Sequence, residues 1–182
     1  MARTQYEAHN AAFSQQAHEV AQQLLYPSIF GVPRSRLSFE DTLLGQSERA
    51  SVLDGEMGVD RIVRVMVEGL KAPLLFTIQE RFRRPEYARY RDITVTEWNH
   101  ASSMPSELYK INAGLFVYGY YDDCCECFVD AIVVNVFDLL LAVAKGDVYY
   151  SRGRNRKQQK FLSFRFADLT ELGLVRYRFL NS

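Results

Sequence analysis

The stretch Val59-Asp60-Arg61-Ile62-Val63-Arg64-Val65-Met66-Val67 sets the frame for everything around it. Side chains of an extended chain point alternately to its two faces, so Val59, Arg61, Val63, Val65 and Val67 share one face, and Asp60, Ile62, Arg64 and Met66 share the other. That period of two predicts a strand. Gly69 and Pro73 bracket a turn, and Leu74-Leu75-Phe76-Thr77-Ile78-Gln79-Glu80-Arg81-Phe82-Arg83 predicts a second strand. Residues 91–98, Arg-Asp-Ile-Thr-Val-Thr-Glu-Trp, are rich in β-formers and predict a third.

Upstream, Phe13, Ala17, Val20, Ala21 and Leu24 fall on one face of a helix over residues 8–25. Pro27 is expected to stop it. Residues 31–58, with Gly31, Pro33, Gly45, Gly55 and Gly58 among polar residues, read as a long connection with a short helical turn near 41–44. Downstream, Pro105 is placed to open a helix through Ser106, Tyr109, Lys110 and Ile111 toward Gly114, and residues 115–121 return to a strand. Further strands are expected at 128–136, 161–166 and 174–179, with a helix at 137–145 closed by Gly146. The expectation is one α/β domain over residues 1–182, with an αβββαβ core at 59–121 and a basic C-terminal extension from about 147. Its sheet should be mixed, mostly antiparallel and flanked by helices.

Bulk properties narrow the function. With 182 residues, 48% hydrophobic and 13% aromatic, the chain can bury one substantial core. Its formal charge is zero, so any affinity for polyanions must come from local clusters. No stretch approaches the roughly 20 apolar residues of a membrane helix, and the first residues lack the apolar run of a secretory signal. A soluble, cytoplasmic protein is expected. Cys124, Cys125 and Cys127 are odd in number and crowded, which suits reduced thiols at a turn better than disulfides or zinc. His9, His18 and His100 have no metal spacing, and neither a Gly-rich phosphate loop nor a Ser-His-Asp order is present.

The order αβββαβ, with an acidic residue at the mouth of one strand and an acidic-basic triplet on the next, resembles the PD-(D/E)xK, restriction-endonuclease-like nuclease superfamily. The resemblance runs through residues 53–62 and 76–83, then 92–96 and 106–121. It implies a Mg²⁺-dependent (or Mn²⁺-dependent) endonuclease hydrolysing phosphodiester bonds in DNA, with RNA the lesser expectation. Carboxylates at strand ends would hold the metal, which lowers the pKa of a water, while a nearby cation meets the phosphate. Asp60 matches the family's first aspartate and is the expected metal ligand.

The second motif departs from the family. Alternation puts Gln79 and Arg81 on one face and Glu80 on the other, so an amide oxygen and a guanidinium stand where a carboxylate and an amine are usual. A β-bulge at Gln79-Glu80 would instead aim Glu80 at the metal, and otherwise Glu80 sits on an apolar face and needs a partner or a raised pKa. Both arrangements fit the sequence. Glu19 on the first helix, Asp41 and Asp54 are further acidic candidates, with Glu19 expected to be solvated. Ser106, Tyr109 and Lys110 lie on the helix that packs beside this edge in the family.

Basic residues cluster twice: Arg81, Arg83, Arg84, Arg89 and Arg91, then Arg152, Arg154, Arg156, Lys157 and Lys160. Interleaved with Tyr149, Tyr150 and Gly153, the second set suits phosphates and bases. Arg83, Lys110, Arg152, Arg154, Arg156 and Lys157 are the expected nucleic-acid contacts. A homodimer would suit cleavage of both strands. The alternative is a nuclease fold that has lost catalysis and only binds nucleic acid or a protein partner.

Overall fold

The computed structural model describes residues 5–42, 48–99, 104–105, 107–155 and 159–180. The chain opens on α1 (Gln5–Val20), passes through a π-helical turn at Ala21–Leu25, and continues as α2 (Tyr26–Phe30). Pro27 therefore does not stop the helix. It lies in the first turn of α2, where its missing N–H costs little, and the stop is Gly31 at φ +64. A π turn takes in one extra residue, which moves the buried stripe along by one place. Phe13, Ala17 and Ala21 are followed by Leu25, 1% exposed, whereas Leu24 is 52% exposed. The same shift carries Tyr26 inward, to 0% exposure.

Residues 31–58, expected to be a connection, hold β1 (Leu37–Asp41) and α3 (Glu48–Gly55). Asp41 belongs to that strand, and residues 43–44 of the expected helical turn lie outside the described residues. β2 (Arg61–Val65) and β3 (Leu74–Arg83) fall where alternation put them. β4 (Asp92–Asn99), β5 (Met104–Pro105) and the short α4 (Glu107–Lys110) follow, then β6 (Leu115–Asp122), β7 (Cys127–Asn135) and α5 (Val136–Lys145). β8 (Ser151–Arg154), β9 (Lys160–Arg165), α6 (Phe166–Glu171) and β10 (Val175–Leu180) complete the order. The expected helix start is corrected here, since Pro105 pairs in β5 and Ser106 lies outside the described residues.

Among the described residues the strands form a six-stranded sheet, β1-β2-β3-β6-β7-β10, and a four-stranded sheet, β5-β4-β9-β8. Only the β3–β6 pair is parallel among them. The fold is thus mixed α/β, with a mostly antiparallel mixed sheet flanked by helices. The predicted third strand exists as β4 but leaves the main sheet. Arg91, at φ +45, reverses the chain, and Ile93 and Val95 pair with Phe164 and Leu162 of β9 instead. Period two reports a half-buried strand and says nothing about its neighbour.

Two cores line the main sheet. On one face the α1 stripe and Tyr26 pack against Val63, Val65, Ile78, Val117 and Val133. On the other, Phe116, Tyr118, Tyr120 and Ile132 pack against β4, β9, α5 and α6. Strand β6 feeds both by alternation, and Gly119 admits the Phe128 ring, which a Cβ there would meet at 2.9 Å. Asn135 caps α5 by accepting from the Asp138 N–H at 3.1 Å, and Gly146 closes that helix at φ +76 as expected. No helix among the described residues is long and apolar enough to cross a membrane.

Candidate functional site

Asp60 immediately precedes β2 and is held in the ladder on both sides. Its N–H donates to the Ile78 carbonyl at 2.9 Å, and its carbonyl accepts from the Thr42 N–H at 3.1 Å. The side chain is therefore fixed beside β3, where Oδ2 accepts from Gln79 Nε2 at 2.6 Å and from the Glu80 N–H at 2.7 Å. Gly58 shapes the approach. It sits at φ +57, and a Cβ there would lie 3.3 Å from Gln79 Oε1 and 3.1 Å from Ile111 Cα. Side chains other than glycine meet both a strained backbone and a crowded site.

Burial drives the Asp60 carboxyl up to about 7. The Glu80 N–H bond and His18 pull it back, while the carboxylates of Glu80 and Asp54 push it further up. Such a group gains from any cation that reaches it. The arrangement combines one carboxylate, one amide oxygen and a second acid, Asp54, close enough to matter electrostatically.

Pairing of β3 with β2 and β6 runs without a register shift, so no bulge re-aims Glu80. The residues sharing the Asp60 face are Gln79 and Arg81. Glu80 points to the α1 side, where its side chain is 0% exposed. There the Tyr26 hydroxyl donates to Oε1, Arg61 Nε donates to Oε2 at 3.3 Å, and His18 Nδ1 lies 2.6 Å from Oε2. The His18 contact is close but poorly aligned as a hydrogen bond. Arg61, 5% exposed, also reaches Asp41 at 2.6 Å. Burial alone would raise the Glu80 pKa, yet His18, Arg61 and Tyr26 outweigh it and hold the carboxyl below the usual range. Sequence reasoning offered a partner or a raised pKa for Glu80. The structure supplies partners and a lowered pKa, and sequence reasoning missed His18 and Tyr26, the latter because the π turn at Ala21–Leu25 shifts which later residues face the sheet.

Arg81 is committed within the same layer: Nη2 meets Glu107 Oε2 at 2.5 Å and Nη1 donates to the Thr94 carbonyl at 3.0 Å. Glu107 also accepts from the Thr96 N–H at 3.1 Å, so this carboxylate ties β3, β4 and α4 together. Arg83, next on that face, donates to the Tyr118 hydroxyl at 3.4 Å and lies 4.1 Å over the Tyr87 ring.

The first basic cluster is split by the fold. Arg84 turns to Asp123 and the Phe13 ring, and Arg91 approaches Asp130 at 3.9 Å. Arg152 lies 3.6 Å from Glu97, and Lys110 and Arg154 are exposed. Arg156 and Lys157 lie outside the described residues. Glu19 is exposed and accepts from Gln15 at 3.0 Å, away from Asp60.

The cysteines are free, with Cys124 and Cys125 exposed at the β6–β7 turn. Ligand atoms of Asp122, Asp123 and Cys124 fall within 4.8 Å of one another, but Asp122 accepts from the Cys124 N–H and Asp123 pairs with Arg84. That turn is accounted for by its own contacts. No protein-family model, curated protein or solved structure matches the chain.

Proposed function

We propose that this protein is a Mg²⁺-dependent phosphodiesterase acting on DNA, built on a restriction-endonuclease-like core. The observation that carries the reading is the fixed Asp60–Gln79 pair at the mouth of β2, on the same face as Arg81 and Arg83. Support comes also from direction, because β6 runs parallel to β3, while β4, the third strand of the expected αβββαβ core, pairs with β9 in the second sheet. The free thiols suit a cytoplasmic setting.

Mg²⁺ fits the donor set, because it is commonly held by one or two carboxylates and keeps several waters. Asp60 and the Gln79 amide oxygen would hold it, and the metal would supply an activated water and neutralise phosphate charge. For that, the Gln79 amide must turn, since its Nε2 now faces Asp60. Arg83 is placed to meet phosphate, and Arg81 to do so on release from Glu107. Glu80 holds Arg61, Tyr26 and His18 beneath the site and fixes the strand whose N–H grips Asp60.

A second reading has its own observation. The 2.5 Å Arg81–Glu107 pair spends the only cation of the triplet on structure, which suits a binding module that no longer cuts. Incubating the pure protein with labelled DNA, and with RNA in parallel, in Mg²⁺ or Mn²⁺ separates the two. Metal-dependent cleavage that Asp60→Ala abolishes supports the enzyme. A wild type that cuts none of single-stranded, duplex and branched substrates leaves only the binding module.

A further inference from the structure

A cleft of about 870 Å³ opens between the end of β3 and the small sheet, bordered by Arg81, Arg83, Tyr87, Tyr90, Thr94 and Phe161. A second cleft of about 560 Å³, with Trp98, Tyr109, Arg152 and Lys160, lies on the opposite face of the β8–β9 ladder and meets the first only at Gly153. Gly153 is what lets the Phe161 ring lie against the strand, because a Cβ there would sit 2.3 Å from that ring. Phe161 thus forms part of the wall of the first cleft. The alternating residues Gln79, Arg81 and Arg83 of β3 lead from Asp60 into the first cleft.

The lining interleaves guanidinium groups with rings. Arg83 lies 4.1 Å over Tyr87, and Arg89, outside the lining, lies 4.9 Å over Tyr90, which is 54% exposed. The carboxylate in this lining, Asp92, is buried and accepts from the Tyr120 hydroxyl and from Ser163, while Glu97 belongs to the second cleft and faces Arg152. Volumes of roughly 300–1,000 Å³ are those of small-ligand sites, large enough for unstacked nucleotides. A duplex keeps its base faces stacked and offers only edges, in a major groove about 12 Å wide. Rings set inside a cleft cannot reach stacked base faces.

We propose that the first cleft holds a single-stranded stretch of nucleic acid, with bases on Tyr87 and Tyr90 and a phosphate on Arg83. The substrate is then an unpaired strand or the unpaired arm of a branch, rather than intact duplex. The chemistry at that strand rests on the phosphodiesterase reading, whereas the binding does not.

Fluorescence anisotropy in EDTA tests it, with fluorescein-labelled oligothymidylate, oligouridylate and a hairpin duplex of equal nucleotide number at one salt concentration. Oligothymidylate should bind the wild type at least about tenfold more tightly than the hairpin. Tyr90→Ala should weaken that binding roughly fivefold to a hundredfold, and Tyr90→Phe should restore it. Arg83→Ala should reduce the salt slope by about 0.7. Equal or tighter binding of the hairpin, or wild-type affinity in Tyr90→Ala, overturns the proposal even where cleavage is seen. Selective single-strand binding without any cleavage upholds it and removes the enzyme reading instead. Stronger binding of oligouridylate than of oligothymidylate assigns the cleft to RNA.

Discussion

Replacing Glu80 by glutamine is the sharpest perturbation of this fold. The side chain keeps its shape, but an NH₂ group must now face a donor, since Tyr26, Arg61 and His18 all approach the carboxylate. Arg61, 5% exposed, is left with Asp41 as its remaining charge partner. Breaking a buried ion pair from one side costs about 3–5 kcal/mol, because the surviving charge stays desolvated. We expect Glu80→Gln to lose about 3 kcal/mol, or roughly 6–12 °C in Tm for a chain of this size.

Urea unfolding followed by circular dichroism measures the loss, with an unchanged m-value expected because the exposed surface is the same. The pH dependence adds a sign. Glu80 titrates lower folded than unfolded, so its contribution is complete above the ordinary Glu pKa of about 4.3 and fades as pH falls through the folded value. In Glu80→Gln that acid-side loss should vanish. Glu80→Leu combined with Arg61→Met, which removes both charges, should cost less than Glu80→Gln alone. A loss under about 1 kcal/mol in Glu80→Gln, or a double variant worse than the single, refutes the idea that this buried network organises the site.

Asp60→Asn should stabilise the protein above pH 7 while abolishing cleavage. The folded Asp60 pKa of about 7 exceeds the ordinary Asp value, so wild-type stability falls as pH rises between them, and thermal melts at pH 5 and pH 8 should show a clearly larger gain for the variant at pH 8. The ceiling on that gain is about 4 kcal/mol, and a variant less stable than wild type at pH 8 contradicts it. Mn²⁺ affinity followed by electron paramagnetic resonance should rise about tenfold per pH unit up to about 7 and flatten above it, because the cation competes with one proton; a flat profile removes Asp60 from the metal site. Gly58→Ala should lower stability by about 1–3 kcal/mol from its left-handed backbone and the Gln79 and Ile111 contacts, with cleavage reduced more than stability alone explains. Gly119→Ala, which forces Phe128 aside, should cost a similar 1–3 kcal/mol in chemical denaturation but leave Mn²⁺ binding unchanged.

Legibility followed the range of the interactions. β2, β3, β6, β7, β9, β10 and α5 could be read because alternation, helical spacing and capping are local. β1 could not, since five residues reading Leu-Ser-Phe-Glu-Asp carry little pattern until Phe39 lies opposite Val63 and Asp41 opposite Arg61. β4 was legible as a strand but not in its sheet, because Ile93 and Val95 match any apolar partner and β9 lies more than sixty residues away in sequence. In the triplet, alternation already separated Glu80 from Gln79 and Arg81. Whether a bulge would undo that separation was a question of pairing, answered by the unbroken ladder to β6.

The sequence by itself determined the mixed α/β class, the strand at Asp60 and the shared face of Gln79 and Arg81, because each follows from the geometry of neighbouring residues. The tertiary structure decided the rest. A π turn in the first helix brought Tyr26 beneath Glu80, an edge strand from an apparent loop supplied Asp41 to Arg61, and a second sheet bound Arg81 to Glu107 and set the clefts beside it. Those contacts join residues far apart along the chain, and a desolvated charge finds its partner only when the core has closed around it.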